Sequence, residues 1–193
     1  NLQVLGTDSR PITFTASDPA AVSPCGGPGR WLGILFGTGS GQNRIQHALV
    51  EYACTGIAPS GSTSPGNGDT ILSNTLRYNG GTGEFHGGIG GDIDYSEIAY
   101  NTIYSCSNGI VLNEGSRNFI VDNVIRDSAQ VGLHLKSGGS GGGNNNFITD
   151  NEIYNCGSAG ISAEAGGPNT IDGNVIYRTM LAASGAGGAI SII

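Results

Sequence analysis

Single apolar residues recur along this chain at fixed offsets from an asparagine, in the phrase Ile-x-x-Asn-x-Ile. This spacing fits short strands that turn one apolar residue inward, and the 3.6-residue period of a helix is missing. A looser copy keeps Ile45 and Val50 but has Ala48 in place of the asparagine. The pattern predicts very short strands separated by turns, with the clearest copies centred on Asn74, Asn101, Asn123, Asn151 and Asn174.

A Gly-Ile or Gly-Leu pair follows each copy of the phrase. The shortest interval, from Gly88 to Gly109, is 21 residues, which fits three short strands per coil of a solenoid. Insertions such as 79–87 and 136–146 fall in the turns on either side of the pair, so variable loops flank this face and a binding site is expected there. The pairs are Gly33-Ile34, Gly56-Ile57, Gly88-Ile89, Gly109-Ile110, Gly132-Leu133 and Gly160-Ile161, with Ala189-Ile190 as a seventh member.

Stacking of coils explains why the repeat is regular. One coil cannot bury its apolar side chains alone, but coils about 4.8 Å apart pair their backbones and align like residues in columns. Complete burial of each such side chain contributes roughly 1.5–3 kcal/mol before conformational entropy is subtracted. The sequence therefore predicts an all-β parallel solenoid of about seven coils, with one core column made of Val50, Leu76, Ile103, Ile125, Ile153 and Ile176.

The repeated asparagines stand where each coil must turn sharply. Asparagine tolerates the left-handed backbone region that β-branched residues avoid, and its amide can hydrogen-bond to the same amide one coil away. We therefore expect a structural ladder without a catalytic role, in which the asparagines themselves adopt the left-handed conformation.

Composition narrows the classes of partner. The chain has 35 Gly, 12% charged residues and a net charge of −7, and its eight Lys and Arg are too few for the basic surface of a nucleic-acid binder. No apolar run is long enough to span a membrane. Residues 1–193 are interpreted as one domain, and as a segment of a longer protein, because 189–193 stop inside an expected strand without a capping element. A further β-helix or capping domain is expected at one or both ends.

The repeat as a whole resembles the right-handed parallel β-helix repeats of secreted carbohydrate-active proteins, including pectate-lyase-like and alginate lyase or epimerase-like folds. The opening segments 11–15, 31–36 and 48–52 are similar to the first coils of bacterial surface β-helix proteins. The resemblance implies a right-handed β-helix, a secreted or cell-surface location and a polysaccharide on the Gly-Ile face. The epimerase motif Asp-Pro-His is not found in the sequence.

Polar residues on the Gly-Ile face are the candidates for chemistry. Strand alternation puts His134 and Lys136 on one side of a coil, with Asn113 on the coil before and Glu164 on the coil after. A polysaccharide lyase or uronate epimerase needs a base beside the uronate carboxylate and a cation to neutralise it. We assign His134, Lys136 and Glu164 as candidate catalytic residues, with Asp92 and Asn113 as substrate-binding residues; the alternative is an ordinary solvated face.

Two further pairs of residues have functional interpretations. Asp92 and Asp94 could act as the paired carboxylates of a glycoside hydrolase or bind Ca²⁺, the one cofactor considered. Tyr104 and Tyr154 share a stripe with other aromatic and arginine residues and could stack on sugar rings or on neighbouring side chains.

Two of the four cysteines are candidates for a disulfide. Cys25 and Cys54 fall in turns of neighbouring coils and could be bridged, whereas Cys106 and Cys156 are two coils apart and are expected to be buried thiols. The leading hypothesis for the whole chain is engagement of a polysaccharide, and the alternative is a non-catalytic structural or adhesive solenoid.

Overall fold

The computed structural model describes residues 1–18, 25, 30–37, 39–59, 68–81, 83, 86–137, 143–164, 167–180 and 188–192. Within these ranges the regular structure consists of short strands in three sheets, all paired in parallel. None of the described segments forms a helix that could cross a membrane. The predicted all-β parallel solenoid with three strands per coil is confirmed. Of the two insertions named above, residues 82, 84–85 and 138–142 lie outside the described residues.

Sheet 1 carries the first isoleucine of each repeat. Its central residues align in register, as Ile98 does with Ile71 and Ile120, because every coil places one inward side chain at this point. The strands are β1 (Gln3–Leu5), β4 (Arg44–Gln46), β7 (Thr70–Leu72), β10 (Glu97–Ala99), β13 (Phe119–Val121), β16 (Phe147–Thr149) and β19 (Thr170–Asp172).

Sheet 2 follows the asparagine and carries the second isoleucine. Ile103 pairs with Leu76 on one side and Ile125 on the other, which is the predicted core column. The strands are β2 (Ile12–Phe14), β5 (Ala48–Glu51), β8 (Thr75–Arg77), β11 (Thr102–Tyr104), β14 (Val124–Arg126), β17 (Glu152–Tyr154) and β20 (Val175–Tyr177).

Sheet 3 begins at the Gly-Ile pairs. The register aligns Ile110 with Ile89 and Leu133, and Ile161 with Ile190. This confirms that Ala189-Ile190 is the seventh member of the series of Gly-Ile pairs. The strands are β3 (Ile34–Phe36), β6 (Ile57–Pro59), β9 (Ile89–Gly91), β12 (Ile110–Asn113), β15 (Leu133–Lys136), β18 (Ile161–Ala163) and β21 (Ile190–Ile192).

The core is complete in the five central coils. From the coil of Ile45 to the coil of Ile161, the three inward residues of each coil are fully buried. The outer coils bury less, since Val4 keeps 6% of its surface exposed in the first and Ile190 keeps 46% in the last. The approximately seven coils expected from the sequence therefore include about five with a closed core.

The asparagine ladder is present and buried. Asn123 donates its backbone N–H and its side-chain amide to Oδ1 of Asn151, both at 3.0 Å, and accepts the same two bonds from Asn101. Its amide also donates to the Ile98 carbonyl at 2.8 Å. The series Asn74, Asn101, Asn123, Asn151 and Asn174 repeats these contacts and is named the sheet 2 ladder.

The prediction that these asparagines adopt the left-handed conformation is wrong, because the left-handed position lies one residue earlier. The left-handed residue is the one before the ladder, such as Tyr100 at φ 58° and Asp122 at φ 54°. The turn is closed before the asparagine, whose backbone N–H and side-chain amide then point along the solenoid axis toward the next coil. The ladder thus depends on amide hydrogen bonding and not on the tolerance of asparagine for positive φ.

A second ladder, which the repeat did not reveal, runs in front of sheet 1. Asn118 donates its backbone N–H and its side-chain amide to Oδ1 of Asn146, both at 3.0 Å, and Asn146 does the same to Asn169. Earlier members are more varied, so the column is hidden in the sequence. This sheet 1 ladder consists of Asn43, Asp69, Ser96, Asn118, Asn146 and Asn169.

The cysteines occupy two kinds of position. Cys25 and Cys54 are joined by a disulfide with their Cα atoms 5.3 Å apart. Cys106 and Cys156 are free and buried. Burial raises the pKa of the Cys106 thiol to about 12, and hydrogen bonds from Asn79 only partly oppose that shift. Burial likewise raises the pKa of Cys156 to about 11. Both thiols are therefore protonated near neutral pH and poorly reactive.

Candidate functional site

The candidate site lies on the outer face of sheet 3, where strand alternation presents two rows of side chains. The row of His134 also contains Val111 and Ser162, and the register places these three residues side by side on adjacent strands. Val111 is fully buried although it lies outside the hydrophobic core cluster, and Ser162 is 7% exposed. This face is therefore sheltered at these two coils and is not an open flat surface.

His134 and Glu164 contact each other across neighbouring coils. The His134 Nε2 atom lies 3.0 Å from Glu164 Oε1, and their side chains keep 16% and 33% of their surface exposed. The carboxylate fixes the orientation of the imidazole ring and favours a proton on the nitrogen that faces it. In that tautomer the other ring nitrogen carries the lone pair. General bases are commonly oriented by a carboxylate in this way, and the catalytic role of His134 stays a prediction from the sequence.

A row of polar residues runs beside this pair. Lys136 is two residues from His134 on β15, so both side chains leave the strand on the same side. Asn113 is the register partner of Lys136, and its amide donates to Asp92 Oδ1 at 2.7 Å. At the usual strand spacing, four coils from Asp92 to Glu164 extend over about 14 Å. The structure thus brings these predicted site residues, His134, Lys136, Glu164, Asn113 and Asp92, to one face.

The two candidate Ca²⁺ ligands face different partners. Asp94 Oδ1 accepts the Ser116 backbone N–H at 2.7 Å, whereas Asp92 accepts the Asn113 amide. Within the described part of the chain, no group of three or more His, Cys, Asp or Glu side chains is placed to hold a metal ion. Ca²⁺ binding at Asp92 and Asp94, and their use as a hydrolytic pair, stay predictions from the sequence.

Tyr104 and Tyr154 lie on sheet 2 and do not belong to the His134 cluster. The Tyr104 hydroxyl accepts a hydrogen bond from Arg77 at 3.2 Å, and the Arg126 guanidinium lies 4.2 Å from the centre of its ring. Tyr154 stacks on Tyr177 with ring centres 4.9 Å apart. These aromatic side chains contact protein neighbours, as one of the two sequence interpretations expected.

Sequence reasoning missed Tyr52 and Tyr78, which line a groove beside sheet 2. Both stand four residues after the sheet 2 ladder position, where later coils have Ser105, Asp127, Asn155 and Arg178. The two tyrosines in this column of otherwise polar residues were a usable signal. It was overlooked because the stripe one residue earlier contains more aromatic residues.

Comparison with known proteins identifies the family. The sequence model described as "Right handed beta helix region" matches residues 87–191. The match covers more than half of the chain, and the chain belongs to the right-handed β-helix family, as its repeat resemblance indicated. No curated protein and no solved structure matches the chain significantly.

Proposed function

We propose that the outer face of sheet 3 binds an acidic polysaccharide and that His134 removes a proton beside a uronate carboxylate. The observation that carries this proposal is the contact of 3.0 Å between His134 and Glu164, next to Lys136 on the same strand. A base oriented by a carboxylate and accompanied by a cation is the set of groups that uronate lyases and epimerases need.

The proposed reaction begins with the carbon-bound proton next to the uronate carboxylate. His134 accepts that proton, and Lys136 stabilises the charge that develops on the carboxylate. In a lyase, the electron pair then forms a carbon–carbon double bond as the adjacent glycosidic carbon–oxygen bond breaks, and the departing sugar oxygen takes a proton from water. In an epimerase, water supplies a proton to the opposite face of the same carbon, and His134 releases its own proton to solvent. Glu164 acts as a positioning residue through His134.

The proposed location is secreted or cell-surface. The Cys25–Cys54 disulfide supports it, because disulfides persist in oxidising compartments. We expect a further β-helix coil or a capping domain to cover the exposed residues of the last coil, where Ile190 is 46% exposed.

The test is incubation with a panel of uronate-containing polysaccharides, followed by ultraviolet absorbance for unsaturated products and by NMR for changed sugar configuration. We expect His134→Ala to lower turnover by about a hundredfold or more, which is the usual contribution of a general base. His47→Ala is the matched control, because His47 also pairs with a carboxylate, Asp8, at 2.7 Å, but it lies beside sheet 1.

The panel also gives the result that removes the proposal. The proposal is contradicted if no polysaccharide in the panel binds or yields a product. It is also contradicted if the His134→Ala and wild-type proteins have equal turnover. Glu164→Gln separates positioning from acid–base chemistry, because we expect it to change the pH profile of turnover while the substrate still binds.

A non-catalytic scaffold is the second candidate function. The specific observation in its favour is that outward residues of sheet 2 pair with one another, such as Arg77 with Glu51 at 2.6 Å. A face held together in this way can serve as a rigid surface for adhesion without chemistry. Glycan binding without turnover that survives both His134→Ala and Lys136→Ala supports this candidate over the enzyme.

A further inference from the structure

The outer face of sheet 1 carries an exposed pair of stacked aromatic rings. Phe119 and Phe147 are register partners on β13 and β16, with ring centres 5.1 Å apart and 8° between their planes. They keep 51% and 42% of their surface exposed, while the next residues, Ile120 and Ile148, fill the core. Cross-strand stacking stabilises the sheet, but it leaves the remaining ring surface in contact with water.

The apolar surface continues beyond the two rings. Val121 is the second residue after Phe119 on β13, so both side chains leave the strand on the same side. Tyr100, which is 59% exposed, donates its backbone N–H to the Val121 carbonyl from the preceding coil. The residues Tyr100, Phe119, Val121 and Phe147 are called the phenylalanine face below. An exposed apolar patch that is bordered by polar residues is typical of a surface that contacts another molecule.

Carboxylates border the phenylalanine face on two sides. Glu97 is the register partner of Phe119 on the preceding coil. Asp122 directly follows β13, Asp150 directly follows β16, and Asp172 ends β19 on the next coil. All four acidic residues are exposed. The apolar rings therefore lie inside a frame of negative charge.

This charge is not neutralised in the way that it is on sheet 2, where Glu51 pairs with Arg77. Among the described residues, no ion pair includes any of the four carboxylates around the phenylalanine face. Their strands β10, β13, β16 and β19 contain no Lys or Arg. Arg117, in the turn before β13, lies over the Tyr95 ring, 5.1 Å from its centre. The local charge therefore favours a cationic partner.

The turn after sheet 1 does not itself need this charge. Asp122 and Asp150 have φ 54° and 56°, a conformation that asparagine tolerates equally well, and Ser73 takes the same position in an earlier coil. The two aspartates stand on adjacent coils about 4.8 Å apart, where carboxylates repel each other and amides can hydrogen-bond. Two adjacent carboxylates are thus a cost to the fold that a cationic partner offsets.

We propose that the phenylalanine face binds a basic peptide segment of a partner protein, in which an apolar side chain and an arginine or lysine project from the same side. The apolar side chain covers the rings of Phe119 and Phe147, and the cation faces Asp122 and Asp150. Asp122 is three residues from Phe119, or about 10 Å along an extended strand. Same-side residues of an extended peptide are about 7 Å apart, and the length of an arginine side chain covers the difference.

A second copy of this chain does not suit the phenylalanine face. Two identical faces brought together place the carboxylates of one copy against those of the other, which opposes association. The chain has a net charge of −7, so the rest of its surface is acidic on average as well. The phenylalanine face is also on a different sheet from His134, so this proposal does not depend on the proposed function.

Binding of a labelled synthetic peptide, measured by fluorescence anisotropy, tests the apolar part of the face. The peptide repeats Leu-Ser-Arg-Ser, so that Leu and Arg share one side of an extended chain. We expect Phe119→Thr and Phe147→Thr each to weaken its binding about tenfold, as loss of a central aromatic contact does. Thr170 already occupies this register position, so the strand geometry is kept. Leu35→Thr is the matched control, because Leu35 is 52% exposed on sheet 3.

The acidic part of the face is tested with a double variant, Asp122→Asn with Asp150→Asn. We expect it to weaken binding of the same peptide about tenfold at low salt, and we expect the difference from the wild-type protein to shrink as the salt concentration rises. Asp8→Asn is the control for charge, because Asp8 is an exposed carboxylate beside the first coils, and it should leave binding unchanged.

Control peptides and thermal unfolding complete the test. Weak binding by the phenylalanine variants at a retained unfolding temperature supports the proposal. No binding of the Leu-Ser-Arg-Ser peptide by the wild-type protein overturns it, and so does equal binding of a peptide with Glu in place of Arg or Gly in place of Leu. A wild-type dimer in sedimentation that Phe147→Thr dissociates also overturns it, because the face then binds a second copy. If both phenylalanine variants fail to fold, the double aspartate variant decides, and unchanged binding by that variant overturns the proposal.

Discussion

Asp69 takes the place of an asparagine in the sheet 1 ladder, and its second carboxyl oxygen has no partner. Oδ1 accepts the backbone N–H and the side-chain amide of Asn43, both at 2.9 Å, but Oδ2 is buried without a hydrogen bond. In Asn118 and Asn146 the corresponding amide nitrogen donates to a backbone carbonyl. A protonated Oδ2 can donate in the same way, which a charged carboxylate cannot.

We therefore predict that replacing Asp69 by Asn stabilises the protein by an amount that depends on pH. Burial raises the pKa of Asp69, and the two bonds from Asn43 only partly offset that shift. The proton stabilises the fold fully below the unfolded pKa of about 3.9, and this contribution is lost as the pH rises through the higher folded value. We expect Asp69→Asn to gain about 1–3 kcal/mol near neutral pH and little near pH 4, measured by chemical denaturation.

The control for Asp69 is Asp122→Asn, an exposed aspartate directly before the sheet 2 ladder. Its carboxyl group is not buried, so we expect a small change in stability that varies little with pH. Arg44 and Glu97, the charged residues at the start of the two strands that pair with β7, are exposed. If Asp69→Asn destabilises the protein at every pH, the carboxylate is charged in the fold and the assignment is wrong.

At the scale of an element, the contribution of a ladder residue to the free energy of unfolding depends on how many coils lie beyond it. Asn123 is fully buried and bonded to asparagines on both sides, whereas Asn174 accepts from Asn151 and is partly exposed. Removing the Asn123 amide leaves the Asn101 donors and the Ile98 carbonyl unpaired in the interior. We expect Asn123→Ala to cost about 3–5 kcal/mol and Asn174→Ala about 1 kcal/mol, from denaturant midpoints. Equal costs mean that the ladder adds nothing beyond local turn chemistry.

The strands were predictable because each follows from one inward residue at a fixed offset. Ile103, for example, is identified by the asparagine two residues before it, and the register of sheet 2 then follows from aligning the asparagines. The sheet 1 ladder was not predictable in this way, since Asp69 and Ser96 perform through a carboxyl and a hydroxyl oxygen what asparagine does elsewhere. Only the spatial column shows that these residues are equivalent.

The candidate site was predictable only as a set of residues on one face. Alternation along β15 and stacking of coils put His134, Lys136 and Glu164 together, but the choice of Glu164 to contact His134 depends on side-chain rotamers that no repeat encodes. The groove lined by Tyr52 and Tyr78 was not predictable for a related reason. Its lining combines the turns of several coils with Arg30, which in the sequence follows the disulfide-bonded Cys25 by five residues.

At the scale of the whole molecule, the two outer coils differ in how well they are covered. In the first coil the inward Val4 and Ile34 are 6% and 8% exposed, and Trp31 Nε1 donates to the Glu51 carbonyl at 2.9 Å. In the last coil the inward Ile171 and Ile176 are only partly buried, and Ile190 is 46% exposed. Because each coil of a solenoid is stabilised only by its neighbours, local opening should start at the less covered side.

Hydrogen exchange measured by mass spectrometry tests this asymmetry. We expect the slowest exchange in β11, β14 and β17, intermediate exchange in β2, and the fastest in β20, because β20 pairs with only one neighbour and lies over a partly exposed core. Dilution distinguishes an isolated chain from one whose last coil is covered by a second copy. In an isolated chain the protection of β20 is independent of protein concentration. In the second state it falls on dilution. Protection of β20 equal to that of β14 at every concentration would contradict the predicted order of opening.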